Sequence, residues 1–281
     1  MPFTVGIVGL GLMGASMAFA LRGFRGATLL GADSDELVCR RAENAGAVHS
    51  ATTDTAEVMS RADLLLLCVY AHNIPPLLEA QGARLKRGCV VSDICGVKTR
   101  LYEQLAGLIP GHVDYVGVHP MAGKERDGFE NADALLYRGC GFIITPLPGT
   151  RPESVALMRE LAGHIGAARL AVAEPEEHDR LIAYTSDLMH VASAGLCLHP
   201  HPGMNAAFTA GAFRDCTRVA DINAAAWKEL LLDNRANTSA CLERYIADLG
   251  AIKEALDRND ARQLEALLLE AGKNKRDMLR K

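Results

Sequence analysis

The first fourteen residues limit the fold more than any other stretch. An apolar run from Phe3 to Val8 leads into Gly9, Gly11 and Gly14, the last four residues reading Gly11-Leu12-Met13-Gly14. An alanine-rich segment with helical spacing follows (Ala15, Met17, Ala18, Ala20, Leu21). This is a strand, a tight turn and a helix, with glycines spaced G-x-G-x-x-G. One glycine permits the turn, the next lets backbone approach a pyrophosphate, and the third lets helix and strand pack closely. The N–H groups and positive dipole end of the new helix then face phosphates. Thr28 to Ala32 reads as a second strand ending in Asp33, nineteen residues past Gly14. An acid there accepts the adenosine ribose hydroxyls. Ser34, Asp35 and Glu36 follow it, so a 2′-phosphate would meet three carboxylates, and NAD is favoured over NADP. The predicted cofactor contacts are Gly9, Gly11, Leu12, Met13, Gly14 and Asp33 and, at a later strand end, Asp93.

Strands and helices alternate to about residue 172. After a helix over Glu36–Ala45 come Ala47-Val48, the buried strand Asp63–Val69, and a helix opened by Pro75-Pro76. Gly88–Ser92 is a strand ending in Asp93, and Val113–Val118 is one ending in His119-Pro120. Gly141–Thr145 and Ala168–Val172 close the series. Continuous apolar strands separated by helices imply an α/β fold, a doubly wound and mostly parallel sheet covered on both faces. Ligands in such sheets lie beyond the carboxyl ends of strands, which places Asp93 and His119 near a nicotinamide. From Glu174-Pro-Glu-Glu onward the periodicity is helical, over Asp179–Leu198, Met204–Arg218, Asn223–Leu249 and Ala251–Lys281. Two domains are expected: residues 1–172, dinucleotide-binding, and residues 173–281, all-helical.

Composition narrows the class. The formal charge of −4 offers no basic footprint for nucleic acid. Apolar runs such as Leu64 to Tyr70 have core-strand length and are too short to span a bilayer. With the first strand at the start of the sequence, no signal peptide is expected. Eight cysteines show no C-x-x-C pair and read as reduced packing residues, so a cytoplasmic protein without a zinc site is expected. His199-Pro-His201-Pro reads as a loop, not a metal site.

Several side chains could carry chemistry. His119 ends a strand before the loop Pro120-Met-Ala-Gly-Lys-Glu-Arg-Asp-Gly128, well placed to accept a proton from an alcohol. Asp179, Ser186 and His190 recur at i, i+7 and i+11, one face of one helix, and suggest a lined cleft. Arg218, in a helix whose apolar neighbours would half-bury it, is a candidate carboxylate clamp. An intrahelical pair with Asp215 is the alternative.

At these residues the chain resembles the prephenate dehydrogenase family over nearly its whole length. The resemblance rests on Gly9–Gly14, on Asp93-Ile-Cys-Gly-Val-Lys98, and on His119-Pro-Met-Ala-Gly-Lys-Glu125. It continues in the helical half through His178-Asp-Arg-Leu-Ile-Ala-Tyr-Thr-Ser186 to His190, Phe213-Arg-Asp-Cys-Thr-Arg218, and Trp227 with Asn234-Arg235. It implies NAD-dependent oxidative decarboxylation of prephenate to 4-hydroxyphenylpyruvate, in tyrosine biosynthesis, and a homodimer formed through the helical domain. It makes His119 the catalytic histidine on the ring hydroxyl, His190 a substrate-pocket histidine and Arg218 the carboxylate-binding arginine.

Three positions depart from the family pattern. Gly96 stands where many members have a serine, Asp187 where many have histidine, and Lys124 where a threonine is common. These departures bear on side-chain specificity. If Asp187 enters the pocket, its carboxylate attracts the ammonium of arogenate; an exposed Asp187, the commoner case for aspartate, leaves prephenate as the expected substrate. Because aromatisation drives the reaction, no metal or covalent nucleophile is expected. Two rival readings share the glycine turn. A β-hydroxyacid dehydrogenase usually carries a catalytic lysine where this chain has His178-Asp179, and a non-catalytic dinucleotide sensor has no need of His119, His190 and Arg218 together.

Overall fold

The computed structural model describes residues 2–124 and 126–278. Glu125 of the His119 block and residues 279–281 of the last predicted helix lie outside the described residues. Contacts divide the chain into two compact units, Met1–Asn234 and Arg235–Lys281.

The first unit is built on β1 (Thr4–Val8), α1 (Leu12–Ala20), β2 (Thr28–Ala32), α2 (Glu36–Asn44), β3 (Ser50–Thr52) and α3 (Thr55–Arg61). Next come β4 (Leu64–Leu67), α4 (Ile74–Gln81), β5 (Val90–Asp93), α5 (Thr99–Leu105) and β6 (Asp114–Pro120). The sheet closes with β7 (Gly141–Pro146), α6 (Pro152–His164) and β8 (Arg169–Val172). The strand order is β3-β2-β1-β4-β5-β6-β7-β8. All pairings are parallel except β6 with β7. The expected doubly wound, mostly parallel sheet is therefore present.

Local chemistry explains the boundaries. Asp35 and Asp54 cap α2 and α3 by accepting the Leu37 and Ala56 amides, and Pro152 and Pro175 sit in first turns where a missing N–H costs nothing. β4 is apolar throughout because both of its faces are covered: Leu64 to Leu67 are all fully buried. One core layer gathers Val5, Ile7, Leu64, Leu66, Val116 and Val118 with α1 and α6; the other gathers Val8, Leu65, Leu67 and Val91 with α3, α4 and α5.

Four helices complete this unit: α7 (Pro175–Ile182), α8 (Leu188–Leu198), α9 (Gly211–Thr217) and α10 (Ala224–Asp233). A single π-turn, Ala183–Asp187, joins α7 to α8, so Pro175–Leu198 is one helical run of 24 residues. Length and composition alone would let it cross a membrane. Its buried His178, Asp179 and Asp187 instead mark it as a packing helix of this unit. The predicted helix Asn223–Leu249 is interrupted at Asn234, which leaves the helical geometry after α10.

The second unit is a helical hairpin, α11 (Arg235–Asp257) and α12 (Ala261–Met278). Its turn is a Schellman motif. Asn259 takes φ +52°, Asp260 N–H donates to Ala255 O, and Asn259 N–H donates to Leu256 O. Asp260 then caps α12 through the Gln263 amide.

Candidate active site

Each glycine of the opening turn has its own physical reason. Gly9 adopts φ +89°. A Cβ on Gly14 would lie 1.8 Å from the Gly9 carbonyl oxygen, so only glycine lets α1 press against the turn. A Cβ on Gly11 would meet nothing within 4 Å. Gly11, Leu12 and Met13 line a cavity of about 520 Å³ whose walls also include Cys68, Val69, Ile94 and Cys95. Asp33 stands at the same cavity. Its Oδ2 accepts the Leu10 amide at 2.7 Å and its Oδ1 the Asp35 amide at 3.0 Å, which aims the carboxylate and leaves lone pairs for hydroxyl donors. The open approach at Gly11, the free amides opening α1 and the oriented acid fit a dinucleotide. A paired test separates the glycines. Gly14→Ala is expected to destabilise the fold by about 1–3 kcal/mol through overpacking. Gly11→Ala should keep its melting temperature and lose cofactor affinity, as read by thermal shift with and without NAD. Equal melting temperatures for the two variants would contradict this division.

Asp93 does not line that cavity. The expectation that it contacts the cofactor is corrected: the residue is fully buried. Its carboxylate pairs with the equally buried Lys98 ammonium, and it accepts the Tyr115 hydroxyl and the Cys95 amide, each at 2.8 Å. A buried carboxylate needs such partners. Lys98 also donates to Val118 O at 2.7 Å, tying the ends of β5 and β6 together directly beneath His119.

A second cavity, of about 810 Å³, adjoins the first and shares Gly96, Lys124, Arg126 and Asp127 with it. It brings together His119, Ser186, Asp187, His190, Arg218 and Trp227. The π-turn matters here. Within it the Ser186 carbonyl accepts His190 Nδ1–H at 2.9 Å, and the His190 ring stacks on Trp227 with centroids 3.6 Å apart. Asp179 is not in the cavity wall, contrary to the single-face reading. It turns inward, where its carboxylate caps α5 through the Lys98 and Thr99 amides at 2.9 and 2.8 Å. Asp187, expected to be exposed, is 2% accessible, and its Oδ2 accepts Asn234 Nδ2–H at 2.8 Å. Arg218, expected to be half-buried, is exposed at the end of α9, a short helix in which Gly211 to Cys216 are all exposed.

His119 is half-buried at the carboxyl end of β6. Its Nδ1 lies 2.9 Å from His178 Nε2, and His178 Nδ1 lies 2.7 Å from Asp179 Oδ1. Desolvation, with the repulsion a charged ring would meet from His178 and Lys98, holds the His119 imidazole well below the usual 6.5. It is therefore neutral at pH 7. A Cβ on Gly96 would sit 3.8 Å from His119 Cε1 and Nε2, so that edge of the ring faces the wall common to both cavities. Sequence reasoning did not single out His178, Trp227 or Asn234 as site residues. The one available signal was the His178-Asp179 pair in the first turns of the helix that Glu174-Pro175 opens.

Two family models cover most of the chain. Residues 17–171 match "Prephenate dehydrogenase, nucleotide-binding domain" and residues 174–270 match "Prephenate dehydrogenase, dimerization domain". The chain belongs to the prephenate dehydrogenase family. Among relatives in this family, a cyclohexadienyl dehydrogenase of Zymomonas mobilis is 30% identical, covering 91% of this chain and 89% of its own length. A Bacillus subtilis prephenate dehydrogenase is 26% identical, over 94% of this chain and 73% of that protein. The prephenate dehydrogenase of A. aeolicus, solved with hydroxyphenyl propionate and NAD+, superposes with a TM-score of 0.86 at 26% identity over 98% of both chains. Synechocystis arogenate dehydrogenase superposes at 0.83 and 27% identity, over 98% of this chain and 100% of that one. Membership in this family makes the chain an NAD-dependent oxidoreductase with a small-molecule substrate.

Proposed function

We propose that this member of the prephenate dehydrogenase family oxidises and decarboxylates a cyclohexadienyl substrate in the paired cavities, with His119 as proton acceptor. When bound, NAD supplies the hydride acceptor. His119 Nε2 takes the proton of the ring hydroxyl as the carbinol carbon is oxidised. The ring carboxylate then leaves as CO2 and an aromatic ring forms. Arg218 holds a substrate carboxylate with its planar fork, and the Trp227–His190 stack forms a flat wall for the ring. The observation that carries this reading is a neutral, half-buried histidine beside Gly96, on the wall where the two cavities meet. The solved relative that holds NAD+ and a hydroxyphenyl compound supports the assignment of one cavity to each.

Prephenate is the substrate the family name implies, and buried Asp187 adds a second reading. A carboxylate on the pocket wall, oriented by Asn234, favours an ammonium on the side chain. We therefore propose that arogenate is also a substrate, as the name of the Zymomonas mobilis relative allows. Asp187→Asn is expected to shift the ratio of kcat/KM for arogenate over prephenate at least about tenfold toward prephenate, the worth of one charge-assisted hydrogen bond. An unmoved ratio would remove Asp187 from side-chain selection.

The junction of the two family models supports a modular boundary near residues 172–173, although α7–α10 share a compact unit with the sheet. The free thiols of Cys39, Cys68, Cys89, Cys95 and Cys140 suit the reducing cytoplasm. A homodimer formed through the helical region would cover apolar side chains that are now in water. In the first unit these include Leu198 at 72% and Phe208 at 78% exposure, and in the second Ile246, Leu256 and Leu269. Sedimentation at micromolar concentration should give a dimer; a monomer would contradict this.

A further inference from the structure

With no hydroxyl at Gly96 to steady His119 from the pocket side, the ring is held from behind. Asp179 anchors that hold. Burial pushes its carboxyl upward, but hydrogen bonds from His178, Thr99 and the Lys98 amide outweigh this and keep it below its ordinary value. It is ionised at neutral pH, and an ionised carboxylate only accepts. His178 Nδ1 must then carry the proton shared with Asp179, which turns the Nε2 lone pair toward His119 as the acceptor. His119 Nδ1, 2.9 Å away, must carry a proton and donate it to that lone pair. The His119 lone pair is therefore on Nε2, the edge beside Gly96. A buried carboxylate has fixed the tautomer of a reactive histidine through a second histidine, one residue further than in a serine-protease triad.

We infer that His178 and Asp179 are positioning residues that present His119 in its base tautomer and draw off the proton it accepts. The inference rests on His119 being the base. In the step proposed, the substrate O–H bond breaks and His119 Nε2–H forms. The His119 Nδ1–H bond then breaks and His178 Nε2–H forms. His119 returns to neutrality, and the positive charge rests on His178 against the Asp179 carboxylate. This resolves a conflict in the geometry, because desolvation and Lys98 oppose a lasting charge on His119. Lys98 itself is paired with Asp93, while Asp187 and His190 line the same cavity as the ring.

Two measurements test the inference. Nitrogen-15 NMR of the histidine rings in the cofactor-free wild type, assigned with His119 and His178 variants, is expected to show protonated Nδ1 and bare Nε2 in both at neutral pH. A His119 ring protonated on Nε2 would overturn it. His178→Gln keeps an acceptor toward His119 but cannot take a proton. It is expected to lower kcat by about 10–100-fold and to move the acid limb of the kcat/KM profile to lower pH, since the first proton must then rest on desolvated His119. Lower kcat with an unmoved limb assigns His178 a structural role and refutes the relay. Full activity of His178→Gln beside an inactive His119→Ala refutes it too and leaves His119 as base. An active His119→Ala overturns the underlying reading instead.

Discussion

Replacing His119 with alanine is expected to lower kcat by roughly 10²–10⁴-fold, the range for general-base assistance, with little change in KM. The ring sits at the end of β6, where the Asp93–Lys98 pair below and His178 behind fix it, so its loss removes a reacting group and leaves the walls in place. Neutral imidazole is also the competent form. Because its pKa lies well below 6.5, protonation costs activity only as pH falls beneath the ordinary histidine range, and the acid limb of kcat/KM should lie below pH 6.5. Stability follows the same sign. A depressed histidine pKa means that the unfolded chain binds the proton first, so this contribution to stability is complete above 6.5 and is lost as pH falls. An acid limb above 6.5, or near-normal kcat in His119→Ala, would assign the residue to packing.

Arg218→Ala should act on the other kinetic constant. Its guanidinium lines the cavity from an exposed helix end, where its planar fork can close on a substrate carboxylate. Loss of a charge-assisted pair of hydrogen bonds, about 1.5–3 kcal/mol, corresponds to a KM roughly ten- to a hundred-fold higher with kcat largely kept. The melting temperature should hardly move, since surface substitutions seldom shift stability by more than about 0.5 kcal/mol. An unchanged KM would return Arg218 to a local pair such as Asp215.

The residues differ in how far sequence alone could read them. Gly9, Gly11 and Gly14 were legible because each answers to a local cause: a positive φ, open space and close helix packing. The alternation of β1 to β6 with helices was legible for the same reason. Asp93 was not, because a strand end marks an altitude in the sheet and not a direction. The deciding partners, Lys98 and Tyr115, become neighbours only when β5 and β6 align. The π-turn at Ala183–Asp187 defeated regular helical spacing. One face was expected for Asp179, Ser186 and His190, yet Asp179 caps α5 while the other two line the cavity. Asp187 is buried because Asn234, 47 positions later, supplies its hydrogen bond. Such pairings are tertiary, and no local propensity encodes them. The family resemblance named His119, His190 and Arg218, which line one cavity; it said nothing of what stands behind His119.

The central claim is that the cavity joining Gly96, His119 and Arg218 oxidises and decarboxylates a cyclohexadienyl acid. The most direct measurement mixes the purified chain with NAD and prephenate, and follows NADH absorbance together with released CO2 and the aromatic product. Equal amounts of NADH, CO2 and 4-hydroxyphenylpyruvate are expected, with the rate lowered roughly 10²–10⁴-fold in His119→Ala. No NADH from prephenate or arogenate, with turnover of a simple β-hydroxyacid instead, would contradict the account.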